Sequence, residues 1–570
     1  MVKKTQKQTL IKKTMLIISS CAFFLLLFRI NTEYIVTSLL LMILLSVFNI
    51  ENVDIVKENK IYVTLSGIIS IFISFLLYRN YMSIYSETSI GIIRKISSFT
   101  GISYLYLIRI IGITASLVSL YFLFMFIYNI LLTGVYSLRN IKFEIIYNEI
   151  FNRKTLSLFA DSLKILSLCI AIGFALLLAV FMIPVSSLSE NVKISALSLS
   201  KEGMYPKKYD WCTSRLDNST DSIMLLEASY DGEETLIEKM MNVYHRSYMG
   251  DVSYGTLVNT FLNGKTADGL ISYARYWHGY LVTLKPLLCI MSYKDIRILN
   301  FILQIILDVF VVLLLQKKKK KEYIVPYVLS VLMIMPLIIS DSLQYSTCFY
   351  LMSVMSIATL LIEENKLKFW HIFLFGGIAV AYFDFLTYPI AVLGVPLVFY
   401  LIKNSESENE IKLANMFKLI AFWFFGYALM WFAKWALATL LTDNNIILDG
   451  IKSVLFRTSG SFEDEEKAIS GFSVIVKNLS RFFYTPFSFA LVIYLIIANS
   501  RVDDSLSHEE KAARLLPFIL VLLLPIIWFM ILKNHSMVHS YFTNKALITS
   551  AFALTSAFVS LRNIKEKKSI

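Results

Sequence analysis

The feature that most constrains this chain is a succession of apolar runs, each about as long as a lipid bilayer is thick. A membrane-spanning helix needs about 20 mostly apolar residues. We predict an all-α polytopic membrane protein with about fourteen transmembrane helices. These lie at 14–31, 35–50, 61–78, 103–133, 164–186, 297–316, 324–340, 347–362, 370–386, 388–402, 418–441, 483–499, 514–533 and 543–561.

Composition excludes a soluble fold. Of the 570 residues, 57% are hydrophobic and 17% are charged, whereas a soluble domain has about 25% charged residues. A single soluble core also stops growing near ~250–300 residues. The bilayer is therefore the solvent that this chain requires.

The net charge of +13 does not indicate a nucleic-acid partner, because Lys and Arg occur in short clusters between the apolar runs. The run Lys317–Lys321 is typical of the cytoplasmic anchors that the positive-inside rule describes. With both termini cytoplasmic, nearly all predicted cytoplasmic segments are basic, whereas the predicted extracytoplasmic segment 79–102 goes against the rule because it also carries Arg and Lys. We expect a multi-pass protein of the plasma membrane, in contact with membrane lipid and without a nucleic-acid partner.

Two regions interrupt the regular alternation of helix and short turn. We predict an N-terminal four-helix module at 1–160 and a larger bundle at 161–570, with extracytoplasmic loops at 187–296 and 442–482. The second loop holds an acidic run at 462–466, which is typical of a solvated surface. The five cysteines contain no CxxC pair, so the sequence predicts neither a zinc site nor a disulfide framework.

Polar residues gather at the predicted extracytoplasmic helix ends, where ionisable groups suggest a functional site. Asp217 and Asp221 precede and open a short helix, so that either residue acts as a general base or Asp217 simply caps the helix. Asp341 and Asp384 either contact substrate or only end helices. Lys434 is interpreted as a residue that extends its charge toward water.

Basic and aromatic residues add a possible anion site at the same end. Arg275 and His278 lie in an aromatic segment that leads into the next helix. His535 and His539 are four residues apart and would share one face of a helix, which suits either a metal pair or contacts with a phosphate. No HExxH motif or carboxylate accompanies the pair, so we assign no metal residues, although a divalent metal stays open.

This layout resembles the GT-C superfamily of membrane glycosyltransferases, which use polyprenyl-phosphate-linked sugars. The resemblance covers about residues 160–562. It is carried by the stretch TDSIMLLEA at 220–228, by YWHGY at 276–280 followed by DIRILN at 295–300, and by FLTYP at 385–389. It departs from the family in that Ser222 follows Asp221 where a second acidic residue is usual.

The resemblance implies a GT-C-like bundle that transfers a sugar from a polyprenyl-phosphate donor to a glycan, glycolipid or protein acceptor. Asp221 would be the general base, with Asp217 second, and no cofactor is assigned beyond the open possibility of a divalent metal. The absence of a long soluble α/β segment favours a lipid-linked donor over a nucleotide sugar. The alternatives are a lipid-linked oligosaccharide flippase or other transporter, a lipid-linked glycan polymerase, and a scaffold or sensor that binds a partner.

Overall fold

A computed structural model describes residues 98–101, 141–209, 212–248, 252–265, 269–362, 368–461, 468–499, 501–503 and 505–562. The predicted helices at 14–31, 35–50, 61–78 and 103–133 lie outside these residues. The described residues divide between two units. The larger unit comprises 141–485 and 517–560, and the smaller one includes 486–516.

The described residues are mainly helical, as predicted. The first helices are α1 Phe143–Ile150, α2 Arg153–Phe181, α3 Ser189–Glu202, α4 Asn218–Ala228, α5 Leu236–Asn242, α6 Ser253–Phe261, α7 Leu281–Leu288 and α8 Tyr293–Lys317. Next come α9 Ile324–Met333, α10 Pro336–Ser340, α11 Leu343–Leu361, α12 Phe369–Phe383, α13 Ile390–Lys403, α14 Asn409–Leu441 and α15 Ile446–Thr458. The last are α16 Gly471–Phe483, α17 Phe487–Asn499, α18 His508–Ile531, α19 Lys533–Val538, α20 Ser540–Thr543 and α21 Ile548–Ser560.

Four helical stretches in the described residues are long and apolar enough to cross a membrane. They are Phe143–Phe181, Tyr293–Lys317, Asn409–Leu441 and Glu509–Ile531. Other apolar helices, including Phe369–Phe383 and Ile390–Lys403, are shorter than a bilayer-spanning helix.

Some helices begin or end at other residues than hydropathy predicted, because backbone conformation or helix capping determines where they stop and start. The predicted helix at 324–340 is two helices, because Met335 adopts a left-handed conformation with φ 58° and Pro336 begins a new helix. A residue before proline is sterically kept out of the helical region. The helix predicted at 164–186 begins earlier, at Arg153, because the Asn152 side chain accepts a hydrogen bond from Thr155 N at 2.8 Å. Helix α2 therefore runs across the predicted boundary at residue 160.

The core of the larger unit lies around α13. All side chains from Ile390 to Ile402 are buried, which is expected of a helix that is apolar on all sides and enclosed by others. Beside it, α12 and α14 pack with their backbones in close approach. A Cβ atom added at Gly377 would lie 2.0 Å from the Trp423 carbonyl oxygen. Small residues permit such close helix packing in membranes.

The predicted loop at 187–296 is largely ordered into helices α3 to α7 and one antiparallel hairpin. Strand β1 Tyr244–Ser247 pairs with β2 Gly269–Ser272, with Tyr244 opposite Ser272. This region packs on the α11 N-terminus and on the residues between α12 and α13. It thereby brings α4 and the segment 273–280 to one end of the bundle, hereafter the Asp221 end.

Candidate functional site

Asp221 caps the N-terminus of a helix distant in the sequence. Its carboxylate accepts hydrogen bonds from the backbone N–H groups of Leu343 at 3.0 Å and Gln344 at 3.1 Å, the first two residues of α11. The hydroxyls of Tyr293, at 2.5 Å, and Ser342, at 3.3 Å, also donate to it. A carboxylate has about four acceptor positions. All of those on Asp221 are thus used within the protein.

Burial determines the protonation of this group. Asp221 is fully buried, and the loss of solvation raises the pKa of its carboxyl to about 6. Hydrogen bonds from Tyr293 and Gln344 act in the opposite direction, since they favour the charged form. Asp221 is therefore ionised at neutral pH, as is expected of a group that receives the positive end of a helix dipole.

Asp217 caps its own helix, in agreement with the capping alternative. Its Oδ1 accepts from Thr220 N at 3.1 Å, and its Oδ2 accepts from the Thr220 hydroxyl at 2.8 Å. The Tyr541 hydroxyl also donates to Oδ2, at 3.0 Å. Burial raises the pKa of Asp217, and the hydrogen bonds from Thr220 oppose this rise. Three donors leave one acceptor position on Oδ1.

Arg297 joins α8 to the Asp221 network. Its guanidinium forms an ion pair with Glu202, at 2.5 Å, and donates to the Asp341 carbonyl from Nε at 2.6 Å. It also donates to the Tyr293 hydroxyl at 3.0 Å. The Asp341 carboxylate pairs with Lys208. Asp341 therefore ends α10 and lies within this ion-pair network.

His278 belongs to a second buried cluster, centred on Glu227. The His278 Nδ1 lies 3.1 Å from Glu227 Oε2, and the Tyr280 hydroxyl donates to the same oxygen. The His278 Nε2 donates to the Tyr273 carbonyl at 2.7 Å. The Nδ1 atom of His245 lies 3.8 Å from Glu227 Oε1. Burial lowers the pKa of His245. His278 therefore belongs to the hydrogen-bond cluster of Glu227 rather than to that of Asp221.

Arg275 and Asp384 have local partners. Arg275 Nη1 lies 3.0 Å from an Asp449 oxygen and so ties the segment before α7 to α15. The Asp384 carboxylate accepts from Thr387 N at 2.8 Å and from the Thr387 hydroxyl, which closes the turn between α12 and α13.

The His535 ring on α19 and the ring of His539, the residue that ends this helix, lie side by side with centroids 4.8 Å apart, as the four-residue spacing predicted. His535 Nε2 donates to the Leu386 carbonyl at 2.8 Å, so its Nδ1 accepts from the Arg457 guanidinium at 2.5 Å. Burial and the Arg457 charge lower the pKa of His535 well below its ordinary value and that of His539 to about 4. Both imidazoles are uncharged at neutral pH, and Arg457 supplies the positive charge.

Four basic residues at this end of the bundle form what is hereafter called the cation cluster: Arg215, Arg457, Arg481 and Lys545. Of these, Arg457 contacts His535 directly. The Arg215 guanidinium lies over the rings of Tyr205, at 4.0 Å, and Tyr541, at 4.3 Å. The Lys545 ammonium lies over the Tyr345 ring at 4.6 Å.

Backbone contacts and electrostatic effects link the members of the cation cluster. The Tyr345 hydroxyl, whose ring lies under Lys545, donates to the Arg215 carbonyl at 3.3 Å. Burial and the Arg215 charge lower the pKa of Arg481, and the Arg457 and Arg215 charges contribute to the lowered pKa of His539. The Arg215 charge also acts on Asp217, where it opposes the rise in the pKa of that carboxyl.

The sequence reasoning missed Arg215, Arg457, Arg481 and Lys545 as site residues. A signal existed for Lys545, which begins an otherwise apolar stretch, and ionisable groups in such stretches indicate function. The others lie in polar segments where a basic residue is ordinary. Across the described ranges, no group of three or more His, Cys, Asp or Glu side chains could hold a metal ion.

The chain matches no family model, no curated protein and no solved structure. The chemistry of the site therefore rests on the geometry described above.

Proposed function

We propose that this protein is a multi-pass plasma-membrane enzyme that transfers a sugar from a polyprenyl-phosphate donor to a glycan, glycolipid or protein acceptor. In this proposal the Asp221 end is extracytoplasmic and both termini are cytoplasmic. The observation that carries the proposal is the cation cluster, in which Arg457 donates to His535, Arg215 lies over the Tyr541 ring and Lys545 lies over the Tyr345 ring.

A bound anion would neutralise the positive charge of this cluster. Buried charges are expensive unless they are paired, and the Arg215 Nε atom is buried without a hydrogen-bond partner, as is the His539 Nδ1 atom. Guanidinium groups bind phosphate oxygens through two parallel hydrogen bonds, and lysine adds a point charge. A phosphate group therefore fits the cluster better than a neutral sugar does.

The position of the cluster favours a lipid phosphate. Four helices in the described residues are long and apolar enough to span a membrane. The cluster lies at one end of this bundle, where a lipid headgroup would reach it from the bilayer surface. The transporter alternative expects polar residues near the bilayer midplane instead.

The geometry favours Asp217 over Asp221 as the base of the proposed reaction. Four donors occupy the Asp221 carboxylate, whereas three occupy that of Asp217. Asp217 also shares Tyr541 with Arg215. It therefore adjoins the cluster, while Asp221 positions α4 against α11.

In the reaction, the acceptor hydroxyl oxygen forms a bond to the anomeric carbon as the bond from that carbon to the phosphate oxygen breaks. The hydroxyl proton passes to Asp217. The departing polyprenyl phosphate takes the electron pair and one further negative charge, which the cation cluster stabilises. Charge stabilisation of this kind is often the largest contribution to enzymatic rate.

The test measures binding of polyprenyl phosphate to the purified protein by native mass spectrometry. We expect Arg457→Gln and Lys545→Met each to weaken binding by roughly 10- to 100-fold, because a hydrogen bond to a charged group contributes about 1.5–3 kcal/mol. The control is Arg246→Gln, which removes an exposed arginine paired with Asp231 and should leave binding unchanged.

A second experiment distinguishes sugar transfer from transport of the lipid across the membrane. With a panel of polyprenyl-phosphate sugars, the protein should release polyprenyl phosphate in the presence of acceptor, and Asp217→Asn should bind donor without releasing it. Equal binding by all cluster variants would contradict the phosphate site. Movement of the lipid across a vesicle membrane without release of sugar would identify a flippase instead.

A further inference from the structure

A second candidate site lies at the opposite end of the bundle. A cavity of about 210 Å³ opens between α2, α12, α13 and α14. Its lining residues come from the start of α12 and α14 and from the end of α13. Asp221, in contrast, contacts the start of α11, and α11 is 19 residues or roughly 28 Å long. The cavity is thus remote from the cation cluster.

The cavity presents a hydrogen-bond donor without an acceptor. Trp370 is 8% exposed, and its indole N–H is buried with no hydrogen-bond partner. The ring is held by stacking on His371, with centroids 3.7 Å apart, and by contact with Phe422 at 5.2 Å. An unpaired buried donor costs about 1–3 kcal/mol. An oxygen atom in the cavity would remove that cost.

The charge of the lining favours an anion. Lys418 lines the cavity, as does Asn415, and none of the described lining residues is acidic. Lys418 forms an ion pair with Glu149 at 3.4 Å, in which the Lys418 side chain is 17% exposed and the Glu149 side chain is 46% exposed. An ammonium group has three N–H donors. Lys418 can therefore donate to an anion in the cavity while it keeps its contact with Glu149.

The size and position of the cavity limit the ligand further. Ligand pockets commonly measure about 300–1,000 Å³, so this cavity suits a headgroup rather than an entire sugar-bearing lipid. Aromatic side chains form its walls, including Phe369 and Tyr400. The basic run Lys317–Lys321 lies at the same end, where Lys320 donates to the Ser405 hydroxyl at 3.2 Å. Basic clusters of this kind attract anionic lipids.

We propose that this cavity binds a phosphate group, supplied by the headgroup of an anionic phospholipid, between the Trp370 indole N–H and the Lys418 ammonium. The phosphate oxygens accept from both donors, and the acyl chains leave along the apolar helix surfaces. The site regulates or stabilises the bundle from the end opposite to the proposed chemistry. It does not depend on the sugar-transfer proposal.

The experiment titrates detergent-purified protein with phosphatidylglycerol, phosphatidylcholine or inorganic phosphate and counts bound molecules by native mass spectrometry. We expect phosphatidylglycerol to bind more tightly than phosphatidylcholine. Trp370→Phe keeps the aromatic ring and removes the N–H, and Lys418→Met keeps most of the side-chain length and removes the charge. Each should weaken phosphatidylglycerol binding by roughly tenfold, the equivalent of one hydrogen bond to a charged group.

The matched control is Lys412→Met, which removes the same charge from the same helix outside the cavity lining and should leave binding unchanged. Trp370 and Lys418 are replaced in separate variants, so that a folding defect in one variant does not decide the result. Equal binding by all three variants would overturn the site. Binding of inorganic phosphate that excludes phosphatidylglycerol would identify a free-phosphate site and overturn the lipid assignment. A map that shows only ordered water beside Trp370 would also overturn the proposal.

Discussion

Replacing Asp221 with asparagine distinguishes a helix cap from a general base. The carboxylate receives Gln344 N and the Ser342 hydroxyl on Oδ1, and Leu343 N and the Tyr293 hydroxyl on Oδ2. Asparagine keeps one carbonyl oxygen and replaces the other with an NH₂ donor. Hydroxyls can rotate to new acceptors, but a backbone N–H cannot. One of the two helix N–H groups must therefore lose its acceptor.

The magnitude follows from these contacts. A buried donor left without an acceptor costs about 1–3 kcal/mol. Loss of the negative charge at a helix N-terminus adds about 0.3–1 kcal/mol, or up to ~2 kcal/mol when buried. We expect Asp221→Asn to destabilise the start of α11 by about 2–4 kcal/mol. At 1.4 kcal/mol for each factor of ten, local opening should increase on the order of 100-fold.

The assay is hydrogen–deuterium exchange, measured by mass spectrometry on peptides that cover residues 338–348. Exchange at Leu343 and Gln344 should accelerate on the order of 100-fold in Asp221→Asn. Asp217→Asn is the control, because it disturbs the Thr220 amide and leaves α11 capped. Unchanged exchange at Leu343 and Gln344 would refute the capping argument. Together with lost transfer activity, that result would return Asp221 to the role of base that the GT-C resemblance implies.

Two further predictions concern other parts of the molecule. Gly377→Ala should lower the denaturation midpoint, because its Cβ would lie 2.0 Å from a backbone oxygen of α14 and overpacking costs about 1–3 kcal/mol or more. The control is Gly460→Ala, whose Cβ would meet its nearest atom at 3.6 Å and which should leave the midpoint unchanged. Arg275→Gln should change the free energy of unfolding by less than about 1 kcal/mol, because its partner, the Asp449 side chain, is 45% exposed. A larger loss of stability, or a loss of phosphate binding with stability unchanged, would indicate that Arg275 contacts the substrate.

Local patterns in the sequence predicted the helices better than the site. The apolar runs located the long apolar helices, such as α2, α8 and α14, since hydrophobic burial acts over a single segment. They could not locate the break at Met335, where backbone conformation overrides hydropathy. The spacing of His535 and His539 predicted their shared face, but their neutral state depends on Arg457, 78 residues away from His535.

The polar partners of the candidate site were the least predictable part. The residue types at Asp217 and Asp221 indicated a short helix nearby, and the structure places its first residue at Asn218. Their different roles depend on Tyr541 and on the N-terminus of α11, both distant in sequence. Such contacts have no local signature in a single sequence. The cation cluster was missed for the same reason, because its four members come from separate segments of the chain.

The contact between Asp221 and α11 also has a consequence for how the chain is made. Asp221 and Leu343 are 122 residues apart. At a synthesis rate of about 5–20 residues per second, Leu343 leaves the peptidyl-transferase centre roughly 6–24 s after Asp221. During that interval, the carboxylate lacks both backbone N–H donors of α11, and α4 has no α11 against which to pack. Nascent chains arrested before residue 343 should consequently expose α4 to added protease, and chains arrested well beyond α11 should protect it.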